Sequence, residues 1–219
     1  MSERPRRIGV LALQGGFAPH LAALARLGAD GLAVRIPGDL DGVGALIVPG
    51  GESTVLMKGM AREGLDGAIT ERVAAGMPYF GTCAGMIVAD RDRLGLLDVR
   101  CERNASGRQR HSFEADVHVH GIGTEPLRAV FIRAPAVAEH GPDVEVLARH
   151  DDEPVVVRQG SVLACSFHPE LSGDDRLHAM FMALVPDAAQ GLAPQGGKEP
   201  SSSGAWTPGP ADPPTEGPR

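Results

Sequence analysis

Three short stretches of this sequence combine residue types that do chemistry. The first is Gly81-Thr82-Cys83-Ala84-Gly85. A nucleophile with glycines two residues before and two after it, between an apolar run and a helix start, has the layout of a nucleophile elbow, here with sulfur. The tight turn strains the backbone at the nucleophile, and the flanking glycines let strand and helix approach without Cβ clashes. The helix beyond favours a thiolate and places the Ala84 N–H where an oxyanion would form. The bland alternative is a buried, inert cysteine at a strand end.

A thiol of this kind needs a base, and the chain has eight histidines. His168 follows an apolar run and opens His168-Pro169-Glu170. In extended chain, residues two apart project to the same side with Cα atoms ~6.6 Å apart. The proline between them restricts other conformers. Glu170 is therefore placed to bond the His168 ring and to stabilise the imidazolium formed when Cys83 gives up its proton. Taken alone, the tripeptide also reads as a surface turn, and spacing does not prove that residues 83 and 168 meet. The third stretch is Pro49-Gly50-Gly51-Glu52-Ser53. Paired glycines after a buried strand let backbone N–H groups approach a ligand, which suits the second half of an oxyanion hole. A phosphate loop is disfavoured, because neither G-x-x-x-x-G-K-[ST] nor G-x-G-x-x-G occurs at a strand end.

These stretches must be positioned by a framework. Apolar runs at Ile8–Leu13, Leu32–Ile36, Ala45–Val48 and within residues 76–81 read as buried strands, with helices from about Phe17, from Ser53 as cap, and from Ala84. That rhythm predicts a parallel sheet wrapped by helices. The second half changes character: Leu97–Arg103, Phe113–Val119, Ala129–Arg133, Val144–Arg149, Pro154–Arg158 and Val162–Phe167 read as strands in hairpins, with a turn at residues 158–161. A helix over Ser172–Leu184, opened by Ser172 and Asp175, closes the domain. The fold class is α/β, a mostly parallel central sheet flanked by helices, with antiparallel additions in the second half.

The chain has 219 residues, of which 42% are hydrophobic, enough for a core and against wholesale disorder. With 21 basic against 28 acidic residues it has no nucleic-acid footprint, and no apolar stretch is long enough to cross a membrane. No signal peptide is evident, and three widely spaced cysteines (Cys83, Cys101 and Cys165) argue against a disulfide framework and for the cytoplasm. Eight of the 18 prolines lie beyond Val185, so the expected organisation is a folded domain over 6–185 and a disordered tail over 186–219. Trp206 in that tail is a solvated residue or a docking anchor. His118 and His120 place two imidazoles on one strand face without a third ligand at metal-site spacing, so no metal is expected. His20 reads as a partly buried structural histidine or one that communicates with a partner. Cys101 and Cys165 read as small core residues.

Together, the cysteine elbow, the later His-x-Glu and the upstream Gly-Gly turn resemble the triad (class I) glutamine amidotransferases. The finer resemblance is to the branch that forms the glutaminase subunit of pyridoxal 5′-phosphate synthase. It is carried also by Gly9–Gly15, Glu102-Arg103-Asn104, Gly107-Arg108-Gln109, Ser112-Phe113, Phe131-Ile132-Arg133-Ala134-Pro135 and Ser166–Leu171, in order over about residues 8–184. The resemblance implies a flavodoxin-like fold, Cys83 as nucleophile towards L-glutamine, His168 as general base and acid, and Glu170 as its orienting group. Gly51, Glu52, Ser53, Arg103, Ile132 and Arg133 would hold glutamine, and the N–H groups of Gly51 and Ala84 would form the oxyanion hole. It implies no cofactor. It also implies a barrel-shaped synthase subunit as partner, which receives the ammonia and awakens an otherwise quiet glutaminase. The Gly51 turn of the isolated chain need then not form a finished oxyanion hole.

Three stretches depart from the family pattern. The segment over residues 86–94 is short, Gln109-Arg110-His111-Ser112 replaces a more usual Gln-Val-Asp-Ser, and Gly16-Phe17-Ala18-Pro19 differs near a region expected to sense the partner. None touches Cys83, His168 or Glu170. The competing readings are a glutaminase of another pathway, such as the histidine pathway, a stand-alone cysteine hydrolase, and a non-catalytic regulatory module on the same fold.

Overall fold

The computed structural model describes residues 7–102 and 112–186. Arg103, the 107–111 segment and the tail from 187 onward, with Trp206, lie outside the described residues. The first half contains β1 (Arg7–Leu11), α1 (Phe17–Arg26), β2 (Asp30–Val34), β3 (Ala45–Val48), α2 (Ser53–Glu63), α3 (Leu65–Ala74), β4 (Tyr79–Thr82) and α4 (Ala84–Ala89). The second contains β5 (Val99–Glu102), β6 (Phe113–Val117), β7 (Leu127–Phe131), β8 (Ala136–His140), β9 (Glu145–His150), β10 (Glu153–Gln159), β11 (Val162–Cys165) and α5 (Arg176–Ala183). Seven strands form the main sheet in the order β2-β1-β3-β4-β11-β10-β9. The first five are parallel, β10 joins β11 antiparallel, and β9 in turn joins β10 antiparallel. Two small ladders, β5 with β8 and β6 with β7, lie outside it.

The central strands β3, β4 and β11 are buried at every residue, as continuous apolar runs between two helical layers must be. Side chains alternate between two cores. Ile8, Val10, Ile47, Phe80, Leu163 and Cys165 face one core, closed by Leu24 of α1 and by Leu177 and Phe181 of α5. Leu11, Leu46, Val48, Tyr79 and Ala164 face the other, closed by α2, α3 and α4 through Leu56, Met60, Ile69 and Met86. The chain therefore crosses from one face to the other between β1 and β3. Open α/β sheets bind ligands at such a crossing, beyond the carboxyl ends of the strands.

The structure moves several predicted boundaries for identifiable reasons. β2 starts at Asp30, in register with Arg7, and stops before Ile36, because the Asp39 carboxylate accepts the N–H groups of Arg35 and Ile36 and turns the chain away. The helix expected after Ser53 is two helices, broken at Gly64 with φ 72°, and its cap is Glu52, whose carboxylate accepts the Val55 N–H at 3.2 Å. The closing helix begins at Arg176 rather than Ser172. Ser172 Oγ instead accepts the Asp174 N–H, and Asp175 pairs with Arg26 at 2.7 Å. The short 86–94 stretch makes α4 only six residues long, and the Asp90 carboxylate behind it accepts the Cys101 N–H.

Candidate active site

Cys83 stands between β4 and α4 with φ 49°, ψ −106°, a positive-φ conformation that residues carrying a Cβ rarely adopt and that lies outside the left-handed helical well open to asparagine and aspartate. The glycines around it are required by space. A Cβ on Gly81 would lie 2.5 Å from the Gly85 carbonyl oxygen, and one on Gly85 would lie 2.0 Å from that of Val48. The Cys83 N–H donates to the Cys165 carbonyl at 2.9 Å, which locks the elbow to the end of β11. β11 lies beside β4 with Cys165 opposite Thr82, so the three residues after Cys165 carry His168 to the same end of the sheet. There the His168 N–H donates to the Val130 carbonyl at 2.9 Å.

His168 Nδ1 lies 2.8 Å from Glu170 Oε1, which leaves Nε2 for the thiol. Burial works against a charged His168 ring, but hydrogen bonds to Cys83 and Glu170 override it and raise its pKa to about 10. An imidazolium is thus favoured where a thiolate would need one. The point where a Gly50 Cβ would sit is 2.3 Å from His168 Cε1 and 3.2 Å from Cys83 Cβ, so the three residues crowd one spot.

Cys83 and His168 open into a cleft of about 420 Å³ that Gly51, Glu52, Ser53, Ala84, Ile132 and Arg133 also line. Every described residue predicted for the site lines this cleft except Glu170, which stands behind His168. The Gly50-Gly51 turn is held on both sides. Gly50 donates to Thr82 Oγ1 at 3.1 Å, and Glu52 donates to Gln14 Oε1 at 3.0 Å, with Gly51 between them. Beyond β7, the Ile132 carbonyl is 3.8 Å from Cys83 Sγ and Arg133 takes φ 46°, a second strained position at the same cleft.

A strand-end cysteine with its histidine and glutamate admits several hydrolase families, and comparison with known proteins decides among them. The SNO glutamine amidotransferase family matches residues 10–186. The chain belongs to that family. It is 54% identical over 198 residues to the pyridoxal 5′-phosphate synthase subunit PdxT of Acidothermus cellulolyticus, covering 84% of this chain and 95% of that protein. It is 54% identical over 188 residues to the protein of the same name from Thermus thermophilus, covering 81% and 97%. A crystallised glutamine amidotransferase superposes with a TM-score of 0.75 at 49% identity, over 81% of this chain and 98% of that one.

Local chemistry separates Cys101 and Cys165 from the thiol that lines the cleft. Burial and the Asp90 carboxylate push Cys101 up to about 12, and burial and the Glu170 charge push Cys165 well up, so both stay protonated thiols. Among the described residues no cluster of three or more His, Cys, Asp or Glu is arranged to hold a metal, and no helix is long and apolar enough to cross a membrane. The sequence reading missed part of the cleft wall. Gln14, Gly15 and Gly16 line it, and a Cβ on Gly15 would fall 2.0 Å from the Gly50 carbonyl oxygen. The paired glycines after β1 were the available signal, since they mark a close approach as well as the end of a strand.

His20 departs from its partly buried expectation: it is fully buried, as is His178. Burial is the main reason both stay neutral. It holds His20 well below its ordinary value, and it takes His178 to about 4, with Asp175 opposing and Arg26 assisting. In the unfolded chain each takes up a proton near its ordinary value of 6.5. On acidification below that point the unfolded state therefore binds protons that the folded state refuses. Their stabilisation is complete above about pH 6.5 and is lost as pH falls towards about 4. Urea unfolding at pH 7, 6 and 5 should show a loss of about 1 kcal/mol per histidine per pH unit below pH 6. A flat profile would contradict the burial of neutral imidazoles.

Proposed function

We propose that this protein hydrolyses L-glutamine to L-glutamate and ammonia through a thioester on Cys83, as the glutaminase subunit of a pyridoxal 5′-phosphate synthase. The observation that carries the reading is Cys83 at a positive-φ strand-to-helix turn, sharing one cleft with a His168 whose Nδ1 is bonded to Glu170. His168 takes the thiol proton, and the thiolate attacks the side-chain carboxamide carbon. The N–H groups of Gly51 and Ala84 receive the oxyanion. His168 then gives its proton to the departing nitrogen, and ammonia leaves a γ-glutamyl thioester. Water, deprotonated by His168, attacks the thioester; the bond to sulfur breaks, glutamate departs and the thiol regains a proton.

Gly51, Glu52, Ser53, Ile132 and Arg133 hold the substrate in this reading, with Arg103 from outside the described residues. Arg133 suits the α-carboxylate, since a guanidinium can pair with it in a bidentate fork. The Glu52 carboxylate already accepts the Val55 N–H, so its contribution is to fix the turn as well as to face the cleft. Residues 6–185 form the catalytic unit, and 186–219 a tail outside it. The ammonia passes to a barrel-shaped synthase subunit that binds this chain, as the shared name of the 54% identical relatives suggests. Three free cysteines fit a cytoplasmic setting.

Glutamate release from glutamine, measured with and without the cognate synthase subunit, tests the reading. Release is expected to rise at least tenfold when the partner is added, in the order-of-magnitude sense that assembly completes a catalytic site (about 10-fold or more). No release from the assembled complex would contradict it.

A further inference from the structure

Behind the Cys83, His168 and Glu170 line, a second set of polar side chains lies wholly inside the protein, between the sheet and helices α1 and α5. His20, Thr82 and His178 are each 0% exposed. His20 Nε2 is 3.3 Å from Glu170 Oε2 and 3.2 Å from Thr82 Oγ1, while His20 Nδ1 is 2.9 Å from His178 Nε2. Thr82 Oγ1 also accepts the Gly50 N–H at 3.1 Å. The reaction as written above uses only the other oxygen of Glu170.

The proton positions follow by elimination. Glu170 Oε2 and His178 Nδ1 are buried, and no well-aligned hydrogen bond reaches either among the described residues. A proton on His178 Nδ1 would be a buried donor without an acceptor, and His20 would then turn a lone pair towards the Glu170 carboxylate. The opposite arrangement leaves a lone pair on His178 Nδ1 unmatched and turns an N–H towards the Glu170 carboxylate, while the buried Thr82 hydroxyl gives up His20 Nε2 as its acceptor. In it, His178 Nε2–H donates to His20 Nδ1, and His20 Nε2–H is shared between Glu170 Oε2 and Thr82 Oγ1. Each arrangement leaves one neutral buried donor hydrogen without an acceptor, so the carboxylate decides: an N–H facing a charged oxygen is worth more than the neutral hydroxyl bond given up.

We propose that His20 is a positioning residue for this site: fixed in its Nε2–H form by His178, it donates to the outer oxygen of Glu170 and to Thr82. One imidazole thereby sets both the carboxylate behind His168 and the Gly50 turn that meets the thiol. The inference deepens the glutaminase reading and rests on it. The titratable groups facing this cluster are His168 and Glu170 from the connection between β11 and α5, Cys165 from β11, Asp175 ahead of α5, and Arg26 at the end of α1. Of these, Asp175 and Arg26 are paired with each other at 2.7 Å.

The test uses His20→Leu and His20→Gln in the complex with the synthase subunit. Gln keeps an N–H near the Nε2 position, and Leu keeps bulk without a donor. In His20→Leu, kcat should fall about 10–100-fold with KM within about threefold, as for loss of a hydrogen-bonded supporting group. His20→Gln should recover to within about fivefold of wild type. Nitrogen-15 spectra of the histidine-labelled wild-type protein should show His20 and His178 neutral and protonated on Nε2 down to about pH 5.5. Full kcat in His20→Leu, equal impairment of His20→Leu and His20→Gln, or a proton on His20 Nδ1 would overturn the proposal. If His20→Leu does not fold, the wild-type spectra decide. Failure of the glutaminase reading would show separately, as no glutamate from the wild-type complex.

Discussion

Replacing Cys83 with alanine should lower glutamine hydrolysis by the complex at least about 10⁴-fold, while the protein stays folded. The size follows from the reaction type. Without the sulfur no thioester forms, and what remains is the oxyanion site and substrate binding, which alone give little rate. The fold should survive because alanine keeps the Cβ that the φ 49° turn already accommodates, and because the thiol faces the cleft rather than either core. Cys101→Ala is the matched control and should keep its activity. It sits at the outlying β5 ladder, with its thiol pushed up to about 12 by burial and Asp90. Glutamate assays of both variants with the synthase subunit, and a thermal melt of each, check this. Substantial turnover in Cys83→Ala would remove the cysteine from the mechanism.

Gly50→Ala should cost about 10²-fold or more in kcat/KM, although it adds one methyl group at a residue that performs no chemical step. The added Cβ would lie 2.3 Å from His168 Cε1, 2.9 Å from Nδ1 and 3.2 Å from Cys83 Cβ. Those distances are too short to persist, so the imidazole must move by roughly 1 Å, and misplacement of that order costs about 10²-fold. The ring cannot withdraw freely, since Glu170 holds its Nδ1 at 2.8 Å and its own N–H is bonded to Val130. Gly38→Ala is the control, because a Cβ there meets nothing within 4 Å. Steady-state assays of the two variants, with unfolding curves, separate a displaced histidine from a damaged fold. If Gly50→Ala keeps more than half its activity, the close approach of the turn to His168 is not what aligns the pair.

What the sequence disclosed and what it concealed divide along local against distant contacts. The strand Ala45–Val48 is legible to the residue, because four apolar residues between Gly44 and Pro49 leave no other boundary. The cysteine elbow was legible for the same reason: glycines at fixed offsets report on their own turn. β8 was not read as a strand. It is buried only at its first two positions, and it pairs with β5 in a ladder outside the main sheet, so neither alternation nor a buried run marks it. The break between α2 and α3 escaped because helical spacing continues across Gly64, whose left-handed turn needs no polar cluster around it. At the site, Cys83, His168 and Glu170 were each visible as short motifs. The neighbours that hold them were not, since Gln14 reaches Glu52 across 38 positions and His20 reaches His178 across 158. Pairings of that kind have no local signature.

Covalent capture tests the central claim most directly. The complex, incubated with a glutamine analogue carrying an electrophilic carbon in place of the carboxamide, is digested and weighed by peptide. The expected result is one adduct per glutaminase chain, on the peptide holding Cys83, formed faster with the synthase subunit present and blocked by glutamine. An adduct on Cys101 or Cys165 instead, or full inactivation with Cys83 unmodified, would contradict the assignment of Cys83 as the nucleophile of this cleft.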